Sequence, residues 1–266
     1  MQLIDLAIHA AKKAGKLLCE PKKDIQIAHK GAIDLVTQYD RWSEEIICET
    51  LDESGIPILA EEQGFLLSTK HSTYANARWI IDPIDGTTNF SHGIPHYCIS
   101  IALEIDGNLC LGVVFDPNRN ELYRAEHSKG AFLNDNPIFS SSCSSLKNAL
   151  MLTGFAYDRQ ERSAFYLHYV SHFLKHARGI RRAGSAALDL AFVACGRGDA
   201  YWEFGLKPWD IAAGIVLVRE AGGFVDSLYP QTHPNPLEGH VLTGSSLLQK
   251  TLQETFIQLH QNCPNI

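Results

Sequence analysis

The sequence predicts an α+β fold in which helices and sheets are layered. Stretches with helical apolar spacing alternate with short apolar runs of strand length. The middle of the chain reads as an antiparallel meander, because Asp106-Gly107 and Pro117-Asn118-Arg119-Asn120 punctuate three strand-like runs. A length of 266 residues with 45% hydrophobic and 20% charged content is enough to bury a large core.

Taken in order, Leu3, Leu6, Ala7, Ala10, Ala14, Leu17 and Leu18 recur at helical spacing and predict a helix over 3–19. Asp24–His29 alternates and reads as a strand, and Lys30–Asp40 as a polar connection. A second helix follows with Trp42, Ile46, Ile47 and Leu51 inward and Gly55 as its stop. Ile56–Ala60 is a short strand delivering Glu61 and Glu62, and 63–77 a polar loop that could act as a lid. His96–Glu104, Asn108–Phe115 and Glu121–Glu126 form the meander. Asn134-Asp135-Asn136-Pro137 begins a polar connection to Ser145, which divides an N-terminal α+β half, 1–140, from a C-terminal α/β half, 141–266. In the second half, 149–153, 200–203 and 241–243 read as strands. Segments 159–177, 185–194, 210–221 and 247–259 read as helices, with Asp210 capping the third.

The formal charge of −7 argues against a general nucleic-acid binder. No run of about 18 apolar residues predicts a membrane span. No basic-then-apolar leader is visible at the N-terminus, so a cytoplasmic protein is expected. Seven scattered cysteines without a Cys-x-x-Cys pair read mostly as small core hydrophobes in a reducing compartment.

The chemistry concentrates in Trp79–Phe90. The buried run Trp79-Ile80-Ile81 is expected to end at Asp82, since Pro83 cannot donate to a ladder. Asp85-Gly86 turns the chain and Thr87-Thr88 opens a helix. Two carboxylates three residues apart, beside free N–H groups, suit phosphate chemistry on Mg²⁺, a hard ion that takes oxygen ligands. The plainer alternative is a turn whose Asp caps a helix.

Asp82-Pro-Ile-Asp-Gly-Thr-Thr-Asn89 resembles the first signature of the inositol monophosphatase family. Pro208-Trp209-Asp210-Ile-Ala-Ala-Gly214, followed by Glu220-Ala-Gly-Gly223, resembles the second. Gly184-Ser185-Ala186-Ala187 is similar to the family's substrate-side loop, and Glu61-Glu62 precedes the first signature at the usual distance. The resemblance spans nearly the whole chain. It implies an α-β-α-β-α sandwich of the inositol monophosphatase and fructose-1,6-bisphosphatase type, two or three Mg²⁺ ions, inhibition by Li⁺ and a homodimer. By the same resemblance, one metal takes Glu61, Asp82 and the carbonyl of Ile84. A second takes Asp82, Asp85 and Asp210, and a third leans on Glu61. Thr87 with Asp40 corresponds to a water-activating dyad. Gly86 and Thr87 hold phosphate through their amides, and Asp85, Gly184, Ser185, Ala186, Glu203 and Asp210 meet the substrate. Four converging carboxylates repel unless cations neutralise them, so the reading requires divalent metal.

Other polar residues read more plainly. Glu62 is a solvated neighbour and Asp34 a loop hydrogen-bonder. His92 and His96 are no zinc site, because Gly93 and Pro95 break the helix that would align them. His168, His172 and His176 share a polar helix face, Lys12, Lys13 and Lys16 another, and Arg181-Arg182 is an interface or solvated pair. Ala60 replaces a common family Gly, and Lys207 near the substrate side would favour a more anionic substrate. The expected activity is Mg²⁺-dependent hydrolysis of myo-inositol 1-phosphate and related polyol or sugar phosphates. The rivals are histidinol-phosphate, fructose-1,6-bisphosphate and 3′-phosphoadenosine 5′-phosphate phosphatases. A rival from another class is a regulator that docks on a transcription complex and keeps an incidental phosphatase site.

Overall fold

The computed structural model describes residues 2–20, 27–29 and 35–263. Helix α1 (Leu3–Cys19) buries Leu6, Ala7, Ala10, Ala14 and Leu18 along one stripe, as its spacing predicts. Strands β1 (Ile27–His29) and β2 (Leu35–Thr37) pair antiparallel. Residues 24–26 of the expected first strand, and Asp34, lie outside the described residues. The polar connection to Asp40 is shorter than expected, because β2 runs directly into α2 (Gln38–Leu51). Thr37 and Asp40 form a capping box that starts this helix. Its inward face carries Asp40, Ser43, Glu44, Ile47 and Leu51, while Trp42, expected inward, is 46% exposed. Gly55 stops the segment at φ 71°.

Strand β3 (Ile58–Ala60) turns back into β4 (Gly64–Leu66), inside what the sequence reads as loop. Strand β5 (Ala77–Asp85) runs three residues beyond Asp82, through Pro83. Its register on the next strand shifts between Asp82 and Asp85, and the proline sits within that irregularity, where no ladder bond is needed. After α3 (Thr87–Ser91) come β6 (Cys98–Ile105), β7 (Asn108–Asp116) and β8 (Glu121–Glu126). They form the expected meander, with Asp106 and Gly107 both at positive φ in the first hairpin. Strands β9 (Ala131–Leu133) and β10 (Asn136–Ile138) extend it into the stretch read as polar connection.

The second half contains β11 (Leu150–Thr153), α4 (Ser163–His176), β12 (Gly179–Arg181), α5 (Ala186–Ala194) and β13 (Ala200–Glu203). It continues with α6 (Pro208–Glu220), β14 (Gly223–Ser227), β15 (Val241–Ser245) and α7 (Gln249–Gln261). Asp210 is not the cap residue of α6. Lys207 occupies that position, and the Asp210 carboxylate reaches back to the Lys207 N–H at 2.7 Å.

Besides the two-stranded β1-β2 sheet, two large sheets result, ordered β10-β9-β8-β7-β6-β5-β3-β4 and β12-β11-β13-β15-β14. Three apolar clusters stack around them. α1 and α2 cover one face of the first sheet through Trp79, Ile81, Ile99, Ile101 and Val113. Its other face, through Ile80, Ala102 and Val114, packs on α5 and α6, which also meet Leu152, Tyr201 and Val241 of the second sheet. α4 and α7 cover the far side of that sheet through Phe173, Trp202 and Phe256. The result is an α-β-α-β-α sandwich. Both faces of β5 and β6 are buried, which is why they read as continuous apolar runs. The middle layer is thin because its residues are small. A Cβ on Gly112 would meet the Ala213 backbone of α6, and one on Gly214 would meet Leu190 of α5.

None of the seven cysteines forms a disulfide; Cys98 is buried in the core, Cys48, Cys143, Cys195 and Cys263 are half-buried against the apolar clusters, in line with the core reading, while Cys110 is half-buried outside them and Cys19 is exposed. No helix among the described residues is long and apolar enough to cross a membrane.

Candidate active site

β3 and β5 run parallel, so Glu61 and the Asp82–Asp85 segment emerge at the same edge. The N-termini of α5 and α6 point into that edge from the middle layer, and β13 ends there with Glu203. These elements enclose a cavity of about 460 Å³. Every site residue expected from the sequence lines it except Asp40, which stands behind Thr87.

Asp82, Asp85 and Asp210 each place a carboxylate oxygen within 4.8 Å of the others. Each is held by the backbone. Asp82 Oδ1 accepts from the Ile84 N–H at 2.9 Å. Asp85 Oδ2 accepts from Ser185 Oγ at 2.6 Å and from the Ala187 N–H at 2.7 Å, which seats it on the N-terminus of α5. Asp210 is tied to Lys207 as described above. Burial, then the charges of Glu61, Asp85 and Asp210, pushes Asp82 well above the ordinary carboxylate range. Burial raises Asp85 to about 6, and burial with the Asp85 charge raises Asp210 well above the usual range. Three clustered carboxylates, Asp82 and Asp85 buried and Asp210 half-buried, all forced toward their neutral forms, fit a hard divalent cation such as Mg²⁺. Glu61 lines the same cavity, outside this tight trio.

The Thr87 hydroxyl lies 2.9 Å from Asp40 Oδ1 and 3.0 Å from the Ile84 carbonyl. Asp40 is fully buried, and its other oxygen accepts from both the N–H and the hydroxyl of Thr37 at 2.7 Å. Gly86 adopts φ 99°, and a Cβ there would sit 3.2 Å from the Gly184 carbonyl, so both the turn and the close approach demand glycine. Asn89 closes the motif by donating to the His96 and Ala183 carbonyls, which pins α3 to the loop before Gly184.

On the opposite wall, Glu203 is 7% exposed and accepts from the Tyr201 hydroxyl at 2.7 Å. Burial raises it to about 7. A Cβ on Gly154 would run into this carboxylate. Arg159, Arg182 and Lys207 line the same cavity. Arg181 and Arg182 are both exposed, as expected of a solvated pair; Arg182 also lines the cavity, while Arg181 turns its Nη1 to the Ile180 carbonyl.

Three residues that motif reasoning passes over support this geometry. Glu44 accepts from the Glu62 and Gln63 N–H groups and so fixes the turn that carries Glu61. Ser43 donates to the Pro83 carbonyl at 2.8 Å. Asp189 lines the cavity from α5. For Asp189 the signal was present, since a lone acid inside Ala-Ala-Leu-Asp-Leu-Ala-Phe has no business on a solvated face.

The chain matches the model of the inositol monophosphatase family over residues 1–265. It is 42% identical to the Nus factor SuhB of Pseudomonas aeruginosa, covering 97% of this chain and 96% of that one. It is also 42% identical to the inositol-1-monophosphatase of Rhizobium meliloti, covering 95% of each. The crystal structure of the extragenic suppressor protein suhB of Bartonella henselae superposes with a TM-score of 0.88 at 36% identity, over 95% of this chain and 97% of that one.

Proposed function

Because the chain belongs to the inositol monophosphatase family, we propose that it is a Mg²⁺-dependent phosphomonoesterase acting on myo-inositol 1-phosphate and related polyol or sugar phosphates. The observation that carries this reading is the convergence of Asp82, Asp85 and Asp210 beside the Thr87–Asp40 contact. Asp82, Asp85, Asp210 and Glu61, with the Ile84 carbonyl, would hold two or three Mg²⁺ ions. When bound, these ions neutralise the carboxylates and the phosphate and lower the pKa of water. Thr87 donates its hydroxyl hydrogen bond to Asp40, so its oxygen can orient the attacking water and accept a proton from it as the hydroxyl proton passes to Asp40. Asp40 can hold that role because Thr37 fixes its far oxygen. Gly86 and Thr87 bind phosphate, and Gly184, Ser185, Ala186 and Glu203 line the place of the alcohol. Residues 1–140 thus supply most metal ligands, and 141–266 supply Asp210 and the substrate side. Arg159, Arg182 and Lys207 favour an anionic substrate. Family membership supports Li⁺ sensitivity and a cytoplasmic homodimer.

The test is phosphate release from myo-inositol 1-phosphate, histidinol phosphate, fructose 1,6-bisphosphate and 3′-phosphoadenosine 5′-phosphate, with Mg²⁺, with Mg²⁺ plus Li⁺, and with Asp85→Asn. The reading expects Mg²⁺-dependent release that prefers inositol phosphate and is lost in the variant. Equal turnover without metal would sink the mechanism, and preference for another ester would replace the substrate. The relative named Nus factor SuhB supports a second reading, a regulatory binding protein with an incidental site. Loss of a cellular phenotype on metal-site substitution would contradict it.

A further inference from the structure

The cavity that holds the metal cluster also contains a buried carboxyl oxygen that no residue satisfies. Asp189 is 1% exposed and lines the cavity, and its Oδ1 has no hydrogen-bond partner. It follows Ser185 by four residues on α5, so the two share a helix face. Ser185 holds Asp85, and Asp189 sits one turn further along, close enough to Glu203 for that charge to act on it.

An unbonded buried carboxyl is expensive, and a leucine of similar size would fit this apolar helix without that cost. The group therefore needs a partner that the cavity receives. Burial, followed by the Glu203 and Asp85 charges, outweighs the opposing charge of Arg182 and holds Asp189 well above the ordinary carboxylate range. As the neutral acid it offers one donor and one acceptor, beside a Glu203 that already accepts from Tyr201. A sugar-like alcohol presents neighbouring hydroxyls, each both donor and acceptor, which match that combination. A simple alkyl or aryl ester presents none.

We propose that Asp189 is a specificity-determining residue that hydrogen-bonds a hydroxyl of the substrate's alcohol portion, next to the one met by Glu203. It thereby selects phosphate monoesters of polyols over those of simple alcohols and phenols. This rests on the phosphomonoesterase reading above.

The experiment measures kcat/KM with Mg²⁺ for myo-inositol 1-phosphate and for 4-nitrophenyl phosphate, in the wild type, Asp189→Leu and Asp189→Asn. The readout is the ratio of the two values. The proposal expects the ratio to fall about tenfold or more in Asp189→Leu, since a hydroxyl then faces an apolar wall. It expects a fall of only about threefold in Asp189→Asn, which keeps a donor and an acceptor. Should the leucine variant not fold, Asp189→Ala makes the same deletion without bulk. An unchanged ratio overturns the proposal even if both rates drop, because Asp189 would then merely support Ser185 and Asp85. If the wild type hydrolyses the aryl ester and only the ratio fails to move, the phosphomonoesterase reading stands and this proposal falls. If the wild type hydrolyses neither ester, both fall.

Discussion

On the metal side of the cavity, Asp82, Asp85 and Asp210 each accept a hydrogen bond from a backbone N–H, of Ile84, Ala187 and Lys207 respectively. On the opposite side, Glu203 accepts from one phenol, and Asp189 Oδ1 from no residue. The first wall is positioned by a strand irregularity and two helix starts, so its geometry is set by the main chain. The second is positioned by side-chain packing, by a glycine that leaves room and by burial. Groups fixed by the main chain suit chemistry that is the same for every substrate. Groups fixed by side chains can be altered without moving that chemistry, which is what specificity requires.

Three changes would break or sharpen that contrast. Asp82→Asn removes a central charge of the metal wall, and phosphate release should fall on the order of 10³-fold while circular dichroism stays native. A variant with near wild-type turnover would show that this wall is not the reaction centre.

The next effect is on stability. Asp85 is raised from 3.8 to about 6 on folding without metal. Its contribution to the metal-free fold is therefore full below about pH 4 and lost as pH rises through about 6. Mg²⁺ needs the ionised form. A thermal scan should thus show Mg²⁺ raising the melting temperature by roughly 2–4 °C near pH 8 and by much less near pH 5. A larger shift near pH 5 would contradict this account of the acidic wall.

The smallest effect falls on the other wall. Gly154→Ala pushes a methyl into the Glu203 carboxylate. KM for polyol phosphates should rise roughly three- to tenfold, with little change in Mg²⁺ dependence. A change confined to Mg²⁺ affinity would mean that the two walls are not separable.

Much of the metal wall was legible because its residues sit in compact motifs: Asp82 and Asp85 within one turn, and Asp210 beside Pro208-Trp209. The partnership of Thr87 with Asp40 spans 47 residues and shows only through family resemblance. Trp42 misled because the buried face of α2 is partly polar. Asp40, Ser43 and Glu44 turn inward toward the site, so hydrophobic periodicity points the wrong way where the helix serves function. Pro83 misled because a strand tolerates proline at an irregularity. In the fold at large, four of the unread strands, β4, β10, β12 and β14, are the edges of the two large sheets. Edge strands are short and half-solvated, so they lack the apolar runs that marked β5 and β6. The capping box Thr37-x-x-Asp40 was written in the sequence, and it marks where the polar connection ends.

The central claim, that a carboxylate-held divalent cation drives phosphomonoester hydrolysis here, is tested most directly by stripping the protein with a chelator and titrating Mg²⁺ back. Phosphate release from myo-inositol 1-phosphate would be followed in the wild type and Asp82→Asn. The account predicts no release from the stripped protein, saturable recovery with Mg²⁺ in the wild type and no recovery in the variant. Release at an undiminished rate in chelator, or equal recovery in Asp82→Asn, would contradict it.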